Sequence, residues 1–307
     1  SPGMGPVLSV MEAWDTLRDR GPRRVLPTAV PALMPNAPAA AVGIDLGAQA
    51  GIHAPVSACA SGAEAIVYGA DLIALGRADV VVAGGTDAAL HPMTVAAFGA
   101  MRALSTRNDD PATASRPFAP DRDGFVLGEG AGILVLERAE HAAARGAQAL
   151  AVLAGSAVTA DAFDVARPEP SGTQQERALR LALERADLDA GRIGHVNAHA
   201  TSTPAGDIVE AGVLARSLPA AAVSATKSAT GHLLGGAGGL EAVLTVMALR
   251  ERWAPPTLQP AGVDPELIEL GLDVVGPQGR SLPDLEAAAS TSFGFGGHNV
   301  ALVFTRR

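Results

Sequence analysis

Strand-like runs alternate with helical segments along most of this chain, and this alternation limits the possible folds more than any other feature. Apolar residues recur at three- and four-residue steps over 63–75, as in an amphipathic or buried helix. The glycine-bounded run ADVVVAGG at 78–85 is typical of a buried strand in a parallel or mixed sheet. The alternation continues through strands predicted at 133–137, 149–158, 195–199 and 222–226 and helices predicted at 173–187, 206–217 and 238–251. This order predicts an α/β fold.

The end of the chain and its middle add two predictions about organisation. Strands are expected at 287–293 and 298–304, joined as an edge hairpin by the glycines of GFGG. A soft boundary falls near residue 147, and the similar order of elements on either side suggests two related halves, 1–147 and 148–307. The polar segment 105–124 is either a functional surface loop or a plain connector.

Composition excludes several classes of function. The chain has 307 residues, of which 48% are hydrophobic, enough for a large core. Its net charge is −9 and its 23 Lys and Arg residues are scattered, so we expect no nucleic-acid partner. No apolar run is long enough for a membrane span and no signal peptide is evident. The single cysteine cannot form an internal disulfide, which favours a reducing compartment, the cytoplasm.

That single cysteine, Cys59, lies in VSACASGAEAI (56–66), just before or within the first turn of the predicted helix. The partial positive charge at a helix N-terminus lowers a thiol pKa, so Cys59 is a candidate nucleophile. Its small neighbours leave backbone amides open to a substrate and able to stabilise an oxyanion. The alternative is an inert core residue, because free cysteine is among the most buried residue types.

Two further stretches place imidazoles after predicted strands. His199 lies in NAHATSTPAGD (197–207), and Lys227 and His232 lie in TKSATGHLLGGAGGLEA (226–242). Strand ends are where α/β sheets carry catalytic groups, although a single histidine there is more often structural. Cys59 and the two histidines also suggest a zinc site, but no close ligand pair supports one. The lysine precedes the glycines, which disfavours a phosphate-binding loop, and the GEGAG run at 128–132 lacks the context of a dinucleotide site.

The stretch SFGFGGHNVALVF (292–304) has two phenylalanines near its start, Phe293 and Phe295, in flexible backbone. Glycines 294, 296 and 297 free the backbone around Phe293 and Phe295, so a ring can move while an amide faces a ligand. The alternative is a glycine-rich hairpin whose phenylalanines belong to the core.

Five motifs in this order resemble the elongating, two-histidine β-ketoacyl-[acyl-carrier-protein] synthases of type II fatty acid synthesis, including their mycolate-pathway relatives. The motifs are VSACASGAEAI, ALSTRNDDPATASRPFAPDRDGFVLGEGAG, NAHATSTPAGD, TKSATGHLLGGAGG and SFGFGGHN. The resemblance implies a thiolase-like fold layered α-β-α-β-α with two related halves, usually as a homodimer. The family's opening strands have no counterpart before Ser1, so we expect the first half to be incomplete and to expose sheet edges.

The resemblance also implies a role for each candidate residue. Cys59 takes the acyl chain from acyl carrier protein, and His199 and His232 stabilise the enolate formed when malonyl-carrier protein loses CO₂. The remaining roles are orientation by Lys227 and Glu241, gating and an oxyanion amide by Phe295, and substrate contacts by Thr201, Thr203 and Phe293. Phosphopantetheine is supplied by the carrier protein, so no cofactor or metal is expected.

Two alternatives and one departure accompany this resemblance. A polyketide ketosynthase shares all five motifs, and a non-catalytic, carrier-binding subunit is a rival from another class. Initiating synthases and thiolases use Cys-His-Asn and Cys-His-Cys sets instead of two histidines. Ala200 stands where the family usually has glycine, which adds a methyl group beside His199. An acidic carrier would dock on local arginines, for which Arg102, Arg107 and Arg116 are the candidates.

Overall fold

The computed structural model describes residues 1–259 and 261–307. Its α-helices are α1 (Val7–Arg20), α2 (Ala29–Leu33), α3 (Ala37–Asp45), α4 (Ser61–Ala74), α5 (Pro92–Ala100), α6 (Ala139–Ala144), α7 (Thr173–Ala186), α8 (Pro204–Ser217), α9 (Lys227–Thr230), α10 (Ala237–Glu251) and α11 (Pro265–Glu269). Its strands are β1 (Val80–Asp87), β2 (Gly130–Glu137), β3 (Val152–Ala160), β4 (His195–Asn197), β5 (Ala222–Ser224), β6 (Trp253–Ala254), β7 (Arg280–Ser281), β8 (Ala287–Gly294) and β9 (His298–Thr305).

The larger sheet has the strand order β3-β9-β8-β4-β5. Its β4 runs parallel to β5 and β8, whereas β9 runs antiparallel to β8 and β3. The β8–β9 hairpin therefore lies in the middle of the sheet, and the prediction of an edge hairpin is wrong. The apolar side chains of β9 explain this position: Val300, Leu302 and Val303 are fully buried, as strands covered on both faces require.

The smaller sheet consists of β1 and β2, paired antiparallel from Val80 opposite Glu137 to Asp87 opposite Gly130. The prediction of a strand at 78–85 is confirmed, but its place in a parallel or mixed sheet is wrong, and the strand is buried only in its second half. One face of this sheet packs inward through Ala83, but the side chains of Val80, Val82 and Val135 on the other face are 41–66% exposed. A short third pair joins β6 to β7.

Helices α4 and α10 form a layer between the two sheets, and α7 covers the outer face of the larger sheet. The central layer packs closely because glycine lines it. A Cβ atom on Gly85 would lie 2.0 Å from the backbone oxygen of Gly235, and one on Gly62 would lie 2.7 Å from the backbone nitrogen of Gly239. The alternation of helix and strand layers confirms the α/β, thiolase-like fold class.

The helices and strands predicted from periodicity are present, with bounds shifted by a few residues. Several elements were missed, among them α1, α3 and α5. Helix α5 begins with a capping signal, because the ring of His91 accepts a hydrogen bond from the backbone N–H of Met93 and Pro92 occupies the first turn. The division of the chain near residue 147 stays a prediction.

Candidate active site

Cys59 lies in a short 3₁₀ turn, Ala58–Ala60, that leads directly into α4. Ala58 has φ of +50°, a left-handed conformation that is costly for a residue with a Cβ atom. The Ser61 hydroxyl fixes the turn, since it donates to the Ala58 oxygen at 2.7 Å and accepts from the Ser57 N–H at 2.9 Å. A strained turn held in this way keeps the sulfur at one position, as a nucleophile requires.

Burial raises the pKa of the Cys59 thiol to about 11. The positive charge of Lys227 and the backbone N–H groups of Phe295 and Cys59 act in the opposite direction and favour the thiolate. The sequence predicted a pKa lowered by the helix terminus, and the structure gives the reverse because desolvation outweighs the favourable groups. The same amides of Phe295 and Cys59 are directed at the sulfur.

The two histidines come together from different loops of the larger sheet. His199 follows β4, His232 follows β5 and α9, and their ring centroids are 5.4 Å apart at nearly a right angle. Burial lowers both imidazole pKa values well below the usual range, and the charge of Lys227 lowers them further. Both rings are therefore neutral at physiological pH and each carries one N–H to donate.

Lys227 connects these rings to a carboxylate. Its Nζ lies 3.3 Å from Nδ1 of His199 and also donates a short hydrogen bond to Oε1 of Glu241. Burial raises the pKa of Glu241 to about 7, against the opposing effect of Lys227. The structure thus brings together the Lys227 and Glu241 side chains that sequence reasoning had paired, at the base of the histidine pair.

Glu210 was missed by sequence reasoning. Its carboxylate is buried on α8, accepts the backbone N–H groups of His199 at 2.8 Å and Ala200 at 2.6 Å, and accepts the hydroxyl of Thr291 at 2.7 Å. These bonds fix the backbone that carries His199. Its signal in the sequence was an acid within the amphipathic helix that directly follows the histidine.

Several of these residues line one cavity of about 350 Å³. Cys59, His199 and His232 line it, and the predicted substrate residues Thr201, Thr203, Phe293 and Phe295 line it as well. The Thr201 and Thr203 hydroxyls are 3.0 Å apart. Two aromatic residues were missed: Phe125 meets the His232 ring edge to face at 5.3 Å, and Phe98 meets Phe125 at 5.2 Å.

The glycine-rich loop that carries Phe295 has the backbone freedom expected of it. Gly296 and Gly297 have φ of +86° and +77°, and a Cβ atom on Gly294 would lie 2.5 Å from the backbone oxygen of Ser57. The loop therefore packs directly against the turn that carries Cys59. Neither Phe293 nor Phe295 belongs to the fully buried core, so the alternative of a plain core hairpin is disfavoured.

The polar segment 105–124 folds against the site instead of standing free. Arg116 is 2% exposed, its guanidinium bonds Asp121 and Asp123, and Arg107 also pairs with Asp121. Two of the three candidate docking arginines are thus neutralised within the chain. Arg102 is exposed and lines the cavity, and it is the candidate best placed to meet an anionic partner.

Within residues 1–259 and 261–307, no group of three or more His, Cys, Asp or Glu side chains is arranged to hold a metal ion. The alternative of a zinc site formed by Cys59 and the two histidines is therefore not supported by the geometry. None of the helices in the described part of the chain is both long and apolar enough to cross a lipid bilayer.

Comparison with known proteins gives the class of this site. The family described as Beta-ketoacyl synthase, N-terminal domain, matches residues 4–142, and Beta-ketoacyl synthase, C-terminal domain, matches residues 150–260. The 3-oxoacyl-[acyl-carrier-protein] synthase 2 of Mycobacterium tuberculosis is 46% identical over 307 residues, which cover 99% of this chain and 73% of that protein. The protein of the same name from Synechocystis is 46% identical over 304 residues, covering 97% and 72%.

Solved structures agree with this class. A β-ketoacyl synthase from Burkholderia phymatum is 39% identical with a TM-score of 0.89, covering 97% of this chain and 72% of that one. A type II polyketide acyl-carrier protein in complex with its ketosynthase bound to the hexaketide matches with 30% identity and a TM-score of 0.93, covering 100% and 76%. The chain belongs to the β-ketoacyl synthase family. Its activity is that of a β-ketoacyl-[acyl-carrier-protein] synthase, an acyltransferase class that needs no cofactor of its own because the carrier protein bears the prosthetic group.

Proposed function

We propose that Cys59 is the nucleophile that takes the acyl chain from acyl carrier protein. Its sulfur attacks the thioester carbonyl, the carrier thiol leaves with the proton, and a new thioester forms on Cys59. The amides of Cys59 and Phe295 stabilise the oxyanion, which exists only in the transition state and intermediate. Cys59 is 9% exposed, and hydrogen bonds are stronger in such low-dielectric surroundings than in water.

His199 and His232 carry the second half-reaction in this proposal. Malonyl-carrier protein binds with its thioester oxygen between the two neutral rings, which donate hydrogen bonds to the enolate formed as CO₂ leaves. The carbanion attacks the acyl thioester, a carbon–carbon bond forms, and the Cys59 thiolate departs and regains a proton. Rings 5.4 Å apart at a right angle support this role, because two donors converge on one oxygen from different directions.

Lys227 and Glu241 orient this pair. The Lys227 ammonium lies next to Nδ1 of His199 and keeps that ring neutral. Nε2 of His199 is then the ring nitrogen that carries the proton. Glu241 compensates the buried lysine charge, since an uncompensated buried ammonium is costly. Their action is therefore electrostatic and positional.

Acyl carrier protein is the partner in this scheme. The Thr201 and Thr203 hydroxyls hold the amides of its pantetheine arm, Phe293 borders the arm, and Phe295 moves with its glycines to admit the second substrate. Their shared place on the cavity wall supports these roles. Arg102 at the cavity supports docking of an acidic carrier surface.

The intact mass of the protein after incubation with acyl-carrier protein tests the proposal. We expect one acyl adduct on the native chain and none on Cys59→Ala, whose side chain has no nucleophile. The observation that carries the proposal is the single cavity that contains the sulfur and both imidazoles. An adduct that persists in Cys59→Ala, or no adduct on the native chain, would contradict it and would favour a non-catalytic subunit.

A polyketide ketosynthase is the second candidate, because a structure with a hexaketide-bound ketosynthase matches the whole chain. Higher identity to the 3-oxoacyl-[acyl-carrier-protein] synthases favours fatty acid synthesis. Assays with saturated acyl-carriers against poly-β-keto starters distinguish the two. Faster condensation of the poly-β-keto starters would establish the polyketide alternative.

We also propose that the chain forms a homodimer in the cytoplasm. Exposed apolar side chains on the extended segment before the nucleophile, Ile52 at 42% and Val56 at 51%, offer a surface for a second copy. The single cysteine, which has no disulfide partner, is consistent with a reducing compartment. Sedimentation equilibrium tests the dimer, and a monomeric mass at micromolar concentration would exclude it.

A further inference from the structure

Asp87 ends β1, is 3% exposed, and none of the motifs or proposed roles above uses it. Its carboxylate accepts four backbone N–H groups from two distant segments. Oδ2 accepts from Gly3 at 2.9 Å and from Gly235 at 2.7 Å, whereas Oδ1 accepts from Met4 and Gly5, each at 3.2 Å. Only an ionised carboxylate presents two acceptor oxygens and no donor to four converging amides.

The two segments that Asp87 joins are both walls of the nucleophile turn. Residues 3–5 lie behind the turn, since a Cβ atom on Gly3 would lie 2.7 Å from the backbone oxygen of Ala58. Gly235 belongs to the turn that follows His232, and the adjacent Leu234 lines the cavity beside Cys59. A single carboxylate is thus hydrogen-bonded both to the segment that packs against the Cys59 turn and to the turn that follows His232.

We propose that Asp87 is a positioning residue for the reaction, which sets the distance between the Cys59 turn and the loop that follows His232. This inference rests on the proposed function of Cys59. Asparagine would leave two of the four amides without an acceptor and would direct its own NH₂ at them. The walls would separate, and a displacement of about 1 Å in a reacting geometry costs about 100-fold in rate.

The first test compares Asp87→Asn with Asp87→Glu, which keeps the charge, and with Asp79→Asn as a matched control. Asp79 precedes the same strand, is exposed, and pairs with Arg138. We expect acyl transfer to Cys59 to fall about 10- to 100-fold in Asp87→Asn. It should change less than about twofold in Asp79→Asn, as for other exposed ion pairs, and Asp87→Glu should recover part of the rate.

A second readout separates positioning from a loss of stability. The charge of Asp87 raises the pKa of Cys59, so its removal lowers that pKa. The other charged or titratable groups near the sulfur are Lys227, His199 and His232. Alkylation by iodoacetamide needs only the thiolate, so at pH 8 it should be faster in Asp87→Asn than in the native chain. A variant that only melts earlier, with both rates per folded molecule unchanged, would overturn the proposal.

Hydrogen exchange on the native protein covers the case in which Asp87→Asn does not fold. The amides of residues 3–5 and Gly235 should exchange slowly and as one group, although they donate to the Asp87 side chain and not to a backbone carbonyl of a helix or strand. Exchange as fast as that of the exposed segment 46–50 would overturn the proposal. If the native chain takes no acyl group at all, the proposed function fails, while alkylation and exchange still decide the role of Asp87.

Discussion

The two sheets of this molecule differ in how much of each is covered. The larger sheet lies between helix layers, and its central strands β8 and β9 are buried almost throughout. The smaller sheet packs one face on α4 and α10 and leaves apolar side chains such as Val82 and Val135 exposed on the other. Cys59 leads into α4, which packs on the smaller sheet, whereas His199 and His232 follow strands of the larger sheet. The candidate site therefore depends on contacts between these two regions. Examples are the hydrogen bonds of Asp87 and the close packing of glycines around Gly235.

The largest expected effect distinguishes the two half-reactions, acyl transfer to Cys59 and decarboxylation at the histidine pair. His232→Ala should leave acyl transfer to Cys59 nearly intact, while decarboxylation of malonyl-carrier protein falls about 10²- to 10³-fold, the usual loss for one oxyanion donor. Adduct mass and CO₂ release measure the two steps, and His141→Ala on exposed α6 is the control. An equal loss of acyl transfer and of decarboxylation would contradict the separate roles proposed for Cys59 and the histidines.

The next effect concerns the electrostatics of Cys59, on the side of the smaller sheet. With a pKa raised to about 11, the thiolate is the minor form at neutral pH and increases as pH rises. Alkylation of Cys59 by iodoacetamide should therefore accelerate about tenfold per pH unit, or about 100-fold from pH 7 to pH 9. A plateau below pH 8 would mean that Lys227 and the amides overcome burial.

The smallest effect tests the difference in covering itself with one substitution in each sheet. Val303→Ala on β9 removes two buried methyl groups and should lower the free energy of unfolding by about 2 kcal/mol. Val82→Ala on β1, whose side chain is 41% exposed, should lower it by less than about 0.5 kcal/mol. Urea denaturation measures both. A similar loss for Val82→Ala would indicate that its face of the sheet is covered in solution, as in an oligomer.

Most of the regular structure was predictable because it follows from local periodicity. The apolar spacing over 63–75 and 173–187 gave α4 and α7 within two residues at each end. The hairpin at 287–304 was predicted, but its central place in the sheet was not, since strand order depends on β3 and β4, which pair with it from far away in the sequence. The sequence also did not show that β1 is buried on one face only, because its run of valines resembles that of a strand covered on both faces.

The candidate site divides in a similar way. Cys59, His199, His232 and Lys227 were found because reactive residue types stand next to glycines and strand ends, and the family resemblance supplied Glu241 and Phe295. Glu210 and Asp87 were missed, because both act by accepting backbone amides from segments that adjoin them only after folding.

The sequence by itself determined the α/β class and the family, and it supplied the candidate site residues, because these are properties of residue type and local spacing. The tertiary structure alone decided the thiol pKa and the neutrality of the imidazoles. Those properties depend on burial and on the charge of Lys227, and these surroundings exist only once segments distant in the sequence have packed together.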